Sequence, residues 1–175
     1  ARGPMFRETM TTLALDFGLK CGWAVGTADR LPFESGVWRL HEGNLRERGG
    51  RWLKLWRHLK NVDALYGPIK VIVFEAVRRH EGISAAHVYG GLRAIAELFA
   101  ESRGERFIEV RTVEVAHVKQ YATGKGNARK EKMLSVARQR FAFEIIDDNQ
   151  ADALWILAAT VAPKADPQKQ LFTKG

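Results

Sequence analysis

Two apolar runs in this 175-residue chain each close on a carboxylate. Thr11-Thr12-Leu13-Ala14-Leu15 leads to Asp16, and Lys70-Val71-Ile72-Val73-Phe74 leads to Glu75. Runs this apolar read as buried strands, the pattern of a sheet covered by helices. A carboxylate at the end of such a strand is costly unless a cation or a hydrogen-bond network compensates it. A third acidic group, Asp147-Asp148-Asn149-Gln150-Ala151-Asp152, heads an apolar helical stretch. Carboxylates such as Asp16, Glu75, Asp148 and Asp152 converging on one point repel one another unless they hold hard divalent cations, and Mg²⁺ prefers oxygen ligands of this kind. The sequence therefore predicts a magnesium site where two strand ends meet a helix start.

The rest of the chain supplies the layers such a sheet needs. Residues 11–17, 21–27 and 34–40 read as three consecutive short strands, with Gly18-Leu19-Lys20 and Asp29-Arg30-Leu31-Pro32 as the turns between them. Residues 44–66 carry a helical stripe of Leu45, Trp52, Leu55, Trp56, Leu59, Val62 and Tyr66, stopped by Gly67-Pro68. After the Glu75 strand comes a polar loop, residues 78–82, and then a helix to Glu101 with Ser84 as its N-cap. Residues 107–111 form a fifth strand. Helices follow around 115–121, 128–141 and 150–161, with a polar loop at 123–127. This order predicts a mixed five-stranded α/β sheet with helices on both faces.

Charge points to the partner. The formal net charge is +8 and the pI near 9.9, the footprint of a domain that meets a polyanion, and nucleic acid is the natural one. The single Cys21 excludes a disulfide framework and a multi-cysteine zinc site, and suits a reducing compartment, which places the protein in the cytoplasm. No apolar stretch reaches the ~20 residues of a membrane span. Residues 1–10 read as a leader or expression remnant, 11–162 as one domain, and 163–175 as a flexible basic tail.

Gly124-Lys125-Gly126-Asn127-Ala128-Arg129-Lys130 lacks P-loop spacing, yet it sets backbone amides and cations at a helix start, which is an anion site in itself. Charge alone adds Lys125 and Arg129 to the candidate phosphate contacts. Arg51, Lys54 and Arg57 on the 44–66 helix read as a solvated face. His80, His87 and His117 have no metal-ligand spacing.

Leu15-Asp16-Phe17-Gly18-Leu19-Lys20-Cys21-Gly22-Trp23-Ala24 resembles the first-strand signature of the RNase H-like nucleases of the RuvC type, in which an Asp-x-Gly turn leads into a Gly-aromatic second strand. Glu75 falls at the end of the fourth strand, where that family keeps a glutamate. Val118-Lys119-Gln120 and Thr123-Gly124-Lys125-Gly126-Asn127-Ala128-Arg129-Lys130 are similar to its Lys and Gly-x-Gly-x-Ala-x-Lys segments, and Asp152-Ala153-Leu154 matches its closing Asp-Ala-Leu. The similarity spans residues 11–161.

The resemblance implies an RNase H-like fold and a Holliday junction resolvase, most similar to bacteriophage members. Such an enzyme is a homodimer that nicks four-way DNA symmetrically through metal-activated water, leaving 5′-phosphates. It implies two Mg²⁺ ions, replaceable by Mn²⁺, with Asp16 bridging both and with Glu75 and Asp152 beside them. The family carries an acid or histidine where this chain has Asn149. Asp148, four residues before Asp152 on the same helical face, is favoured as the fourth ligand and Asn149 is the alternative. Lys119 and Lys130 are implied to reach phosphates at the scissile bond. The family's aromatic wedge has no counterpart in Arg78-Arg79-His80, so opening of the junction falls to the cations Arg78 and Arg79 or to Tyr89. The helix to Glu101 is implied as the dimer contact, through Gly90-Gly91 and a stripe of Val88, Leu92 and Ile95, unless that stripe packs on the sheet. The alternatives are a YqgF-type RNA nuclease and a non-catalytic branched-DNA binder.

Overall fold

The computed structural model describes residues 10–41, 49–77 and 82–162. Strands β1 (Thr11–Asp16), β2 (Lys20–Gly26) and β3 (Glu34–Arg39) form an antiparallel meander. Helix α1 (Gly50–Tyr66) then crosses to β4 (Ile69–Glu75), and helix α2 (Ile83–Glu101) crosses to β5 (Glu109–Val113). Both crossovers return the chain parallel to its neighbour, giving the sheet order β3-β2-β1-β4-β5. Helices α3 (Val115–Thr123), α4 (Lys130–Arg140) and α5 (Asp148–Val161) close the chain. This is the RNase H-like mixed α/β sheet, helices on both faces, that the motif order implies.

Strand alternation divides the interior into two layers. Leu13, Leu15, Cys21, Val25, Ile72 and Phe74 face α1 and α2, where Leu55, Leu59, Leu92 and Phe99 meet them in one core. Ala14, Ala24 and Val73 face the other way, against Leu154, Ile156 and Leu157 of α5 with Met133 and Ala137 of α4. Small residues on that second face let α5 lie close. A Cβ on Gly22 would fall 1.9 Å from the Asn149 carbonyl oxygen, and one on Gly26 would touch Leu157 at 3.4 Å. Eight helical residues rise about 12 Å and four strand residues about 13 Å, so α5 runs along β2 with its N-terminus over Gly22.

The loop Arg103–Arg106 after α2 is tied to α1 by a buried carboxylate. Asp63 accepts hydrogen bonds from the Arg103 guanidinium, from Arg106 at 3.1 Å and from the Ile69 backbone N–H at 3.0 Å, with its own side chain 1% exposed. Removing it strands that N–H and two cations. Asp63→Ala is expected to cost about 2–4 kcal/mol, below the ~3–5 of a fully buried pair because both guanidiniums reach solvent. Urea unfolding measures it, and a loss under ~1 kcal/mol would mean that water replaces the carboxylate.

Several boundaries differ from expectation. Helix α2 starts at Ile83 after Gly82, whose φ of 100° only glycine adopts readily, so Ser84 lies inside the first turn and is no N-cap. Strand β5 begins two residues later than the apolar Phe107 suggests; Phe107 is exposed and pairing with β4 fixes the register. The stripe assigned to a dimer contact is used within the chain. Leu92 is fully buried, Val88 and Ile95 pack on the first core, and Gly91 makes room for the Trp52 ring of α1.

Candidate active site

The parallel strands β1, β4 and β5 all end on one side of the sheet, the side where open α/β sheets place their ligands. Leu15 pairs with Phe74, so Asp16 and Glu75 are the next residues out on neighbouring strands, about 4.8 Å apart. They share the parity of Ala14 and Val73 and so point toward α5. Phe17 and Phe74 pack at 4.6 Å beneath them, with Tyr89 edge-on to both. The Tyr89 hydroxyl donates to the Glu75 carbonyl at 2.8 Å, fixing the backbone that carries the carboxylate. Tyr89 is thus a packed support of the site, not a free ring for opening DNA.

The first turn of α5 supplies the other acids. Asp147 is its N-cap, accepting the Gln150 N–H at 3.0 Å, and Asp148 and Asp152 share one helical face. Gly22 pairs with Asp16 across the β1–β2 ladder and also lies under Asn149, so close docking on Gly22 brings this turn to Asp16. The buried Gln150 side chain adds two ties, accepting the Ile146 N–H at 2.8 Å and donating to Ser35 Oγ at 3.0 Å. Asn149 donates to Asp147 at 3.3 Å.

The electrostatics are those of a crowded acidic cluster. Burial, then Asp152, Glu75 and Asp148, hold the Asp16 carboxyl well above its ordinary range, with Lys130 opposing. Burial and Asp152 push Glu75 up to about 7 against Lys119 and Lys130. Burial raises Asp152 to about 6, with Lys130 and Lys119 pulling down and Asp148 pushing up. Asp148 itself is lowered, chiefly by the Lys130 ammonium that bonds it at 3.0 Å. Among the described residues no three acidic, imidazole or thiol side chains form a ready ligand shell; Asp148 is turned to Lys130.

Sequence reasoning named Asp16, Glu75, Asp148 and Asp152, and the fold gathers them within electrostatic reach of one another and of Lys119 and Lys130. Lys125 and Arg129 are exposed on the α3–α4 loop, which starts at Gly124 with φ 76° and is braced by the Thr123 hydroxyl. Arg78, Arg79 and His80 lie outside the described residues. Gly22, Tyr89, Ser35 and Gln150 were missed as supports; only the Gly22-Trp23 pair carried a sequence signal, through the family signature.

Neither a protein-family profile nor a curated protein sequence matches the chain. Solved structures do. Thermus thermophilus RuvC in complex with a Holliday junction substrate superposes with a TM-score of 0.70 at 19% identity, covering 86% of this chain and 92% of that one. The structure of Thermus thermophilus RuvC gives 0.66 at 18%, with the same coverages. The yeast mitochondrial Holliday junction resolvase Ydc2 gives 0.61 at 15%, covering 91% and 82%. The likeness is one of fold: this chain has the RNase H-like architecture of those resolvases.

Proposed function

We propose that the protein is a divalent-metal-dependent endodeoxyribonuclease that resolves four-way DNA junctions. The observation that carries this reading is the convergence of Asp16, Glu75, Asp152 and Asp148 at one end of the sheet, flanked by Lys119 and Lys130. The likeness to resolvase structures supports it, as does the net charge of +8.

The donor set fits a hard divalent cation. Every candidate is a carboxylate oxygen, and burial first, with mutual repulsion added to it, raises Asp16, Glu75 and Asp152 together. Asp16, Glu75 and Asp152 would hold the ions, with Asp148 as the fourth group. A Mg²⁺ ion held there would supply activation of water and neutralisation of phosphate charge. Lys130 and Lys119 bring the scissile phosphate to an otherwise repulsive acidic site. Lys125 and Arg129 extend that cationic rim along the strand. Two opposed nicks call for two sites, and a two-fold dimer supplies them. Its contact would be the outer face of α2, where Ile83 and Leu98 are exposed beside Gly90 and Ala94.

Cleavage of immobile four-way, three-way, flap and linear DNA with Mg²⁺, Mn²⁺ or chelator tests the reading. Metal-dependent paired nicks in the four-way junction are expected; binding without cleavage under every metal would favour a branched-DNA binder. Alanine at Asp148 and at Asn149 separates the two candidate ligands, with activity lost at Asp148.

The raised acids also predict a pH response. Between their ordinary pKa near 4 and values of about 6 and 7, the folded protein binds more protons at Asp152 and Glu75 than the unfolded chain does, so stability falls as pH rises. In chelator, wild type should lose more melting temperature from about pH 5 to about pH 7.5 than the Glu75→Gln/Asp152→Asn variant. Mg²⁺ should restore more of it at the higher pH, because ligands must be deprotonated. Identical pH profiles for the two proteins would contradict the coupling.

A further inference from the structure

A second cationic concavity lies outside this site. An open groove of about 550 Å³ separates β3 from α1, bordered by Trp38, Arg39, Lys54, Arg57, His58 and Asn61. Three of these are cations, and among the described residues no carboxylate lines it. On α1 the lining recurs at positions 54, 57, 58 and 61, one polar flank beside the buried Leu55, Leu59 and Val62. Arg51, by contrast, lies over the Trp52 ring. The groove is held in shape from below. Trp23 stacks on Trp38 at 5.2 Å, and Trp38 on His58 at 4.6 Å with the rings 2° from parallel, which locks β3 to α1.

Its position relates it to the carboxylates. Asp16 pairs with Gly22, Gly22 with Val37, and Lys20 with Arg39, so Arg39 sits at the same end of the sheet. Two strand spacings across and two residues along place its backbone about 12 Å from that of Asp16. At about 3.4 Å per nucleotide, Arg39 stands three to four nucleotides along a strand; Trp38, paired with Cys21, and α1 lie on the face opposite the carboxylates, roughly 10 Å deeper, so Arg57 stands about five away. β3 is also an outer strand of the described sheet, so nothing in the sheet covers this side.

We propose that this groove holds the DNA backbone of the arm flanking the nicked strand, with Arg39 and Arg57 as phosphate contacts about three to five nucleotides from the scissile bond. The assignment rests on the nuclease reading above and adds a second point of attachment to it. Two separated phosphate contacts fix the direction of an arm relative to the metal site, which a single contact cannot do.

Binding of a labelled four-way junction in chelator, titrated with salt, tests it. Each phosphate contact contributes about −0.9 to the slope of log K against log salt, so Arg39→Gln/Arg57→Gln should flatten the slope by nearly two. Both side chains are exposed, and circular dichroism checks the fold of this variant and of an Arg57→Gln single variant, which should flatten it by nearly one. Neutral methylphosphonates three to five nucleotides from the cut should weaken wild-type binding and leave the double variant unaffected. Unchanged slopes in both variants, with wild-type cleavage intact, overturn the groove and leave the nuclease standing. A wild-type protein that neither binds nor cuts the junction overturns both.

Discussion

Asp16→Asn is expected to abolish junction cleavage, by more than the ~10²-fold lost when one group stabilising a transition state is removed, while junction binding survives or tightens. Asp16 sits at the centre of the cluster: Asp152, Glu75, Lys130 and Asp148 all shift its carboxyl. The amide keeps the shape and loses the charge, so a metal ion would lose one of its proposed ligands and the phosphate would lose a repulsive neighbour. Single-turnover cleavage beside an equilibrium binding curve separates the two effects. Near-wild-type cleavage would remove Asp16 from the chemistry.

Gly22→Ala is expected to impair cleavage nearly as much without touching an acidic group. Its Cβ would lie 1.9 Å from the Asn149 oxygen and 2.4 Å from the Asn149 carbonyl carbon, both backbone, so the head of α5 must lift. A displacement of about 1 Å can cost ~10²-fold in rate, and overpacking costs about 1–3 kcal/mol in stability. Asp148 and Asp152 move with the helix, whereas Asp16 stays on β1. Gly49→Ala is the control: no neighbour lies within 4 Å of its Cβ and its φ of −71° suits any residue, so its turnover should match wild type. Turnover by Gly22→Ala equal to wild type would show that the docking distance is not what sets the site.

The elements were legible where the signal is local. Apolar runs bounded by glycine and proline located β1 to β4 to within a residue or two, because a doubly covered strand must be apolar along its length. Phe107 misled because apolarity marks burial and it is exposed; Ile108 anchors that segment. The acidic residues were legible because charge at the end of an apolar strand is costly. Their supports were not. That Tyr89 reaches the Glu75 carbonyl, or Gln150 reaches Ser35 across 115 residues of sequence, depends on helix placement and register. Lys54 and Arg57 read as a solvated face because period alone does not reveal that β3 stands opposite them. Leu92 was ambiguous for the same reason: an apolar stripe does not say which surface it covers.

Strand β4 has Asp63 and its two arginines gripping the backbone at Ile69 and the acidic cluster at Glu75, six residues away at the opposite end. Ruggedness and reactivity therefore sit at separate addresses on one rod. A lineage moving to a hotter or colder habitat could retune the anchor at Ile69 while leaving the acidic end alone, and an engineer could do the same. The exchange usually demanded between a durable enzyme and a quick one need not bind this protein.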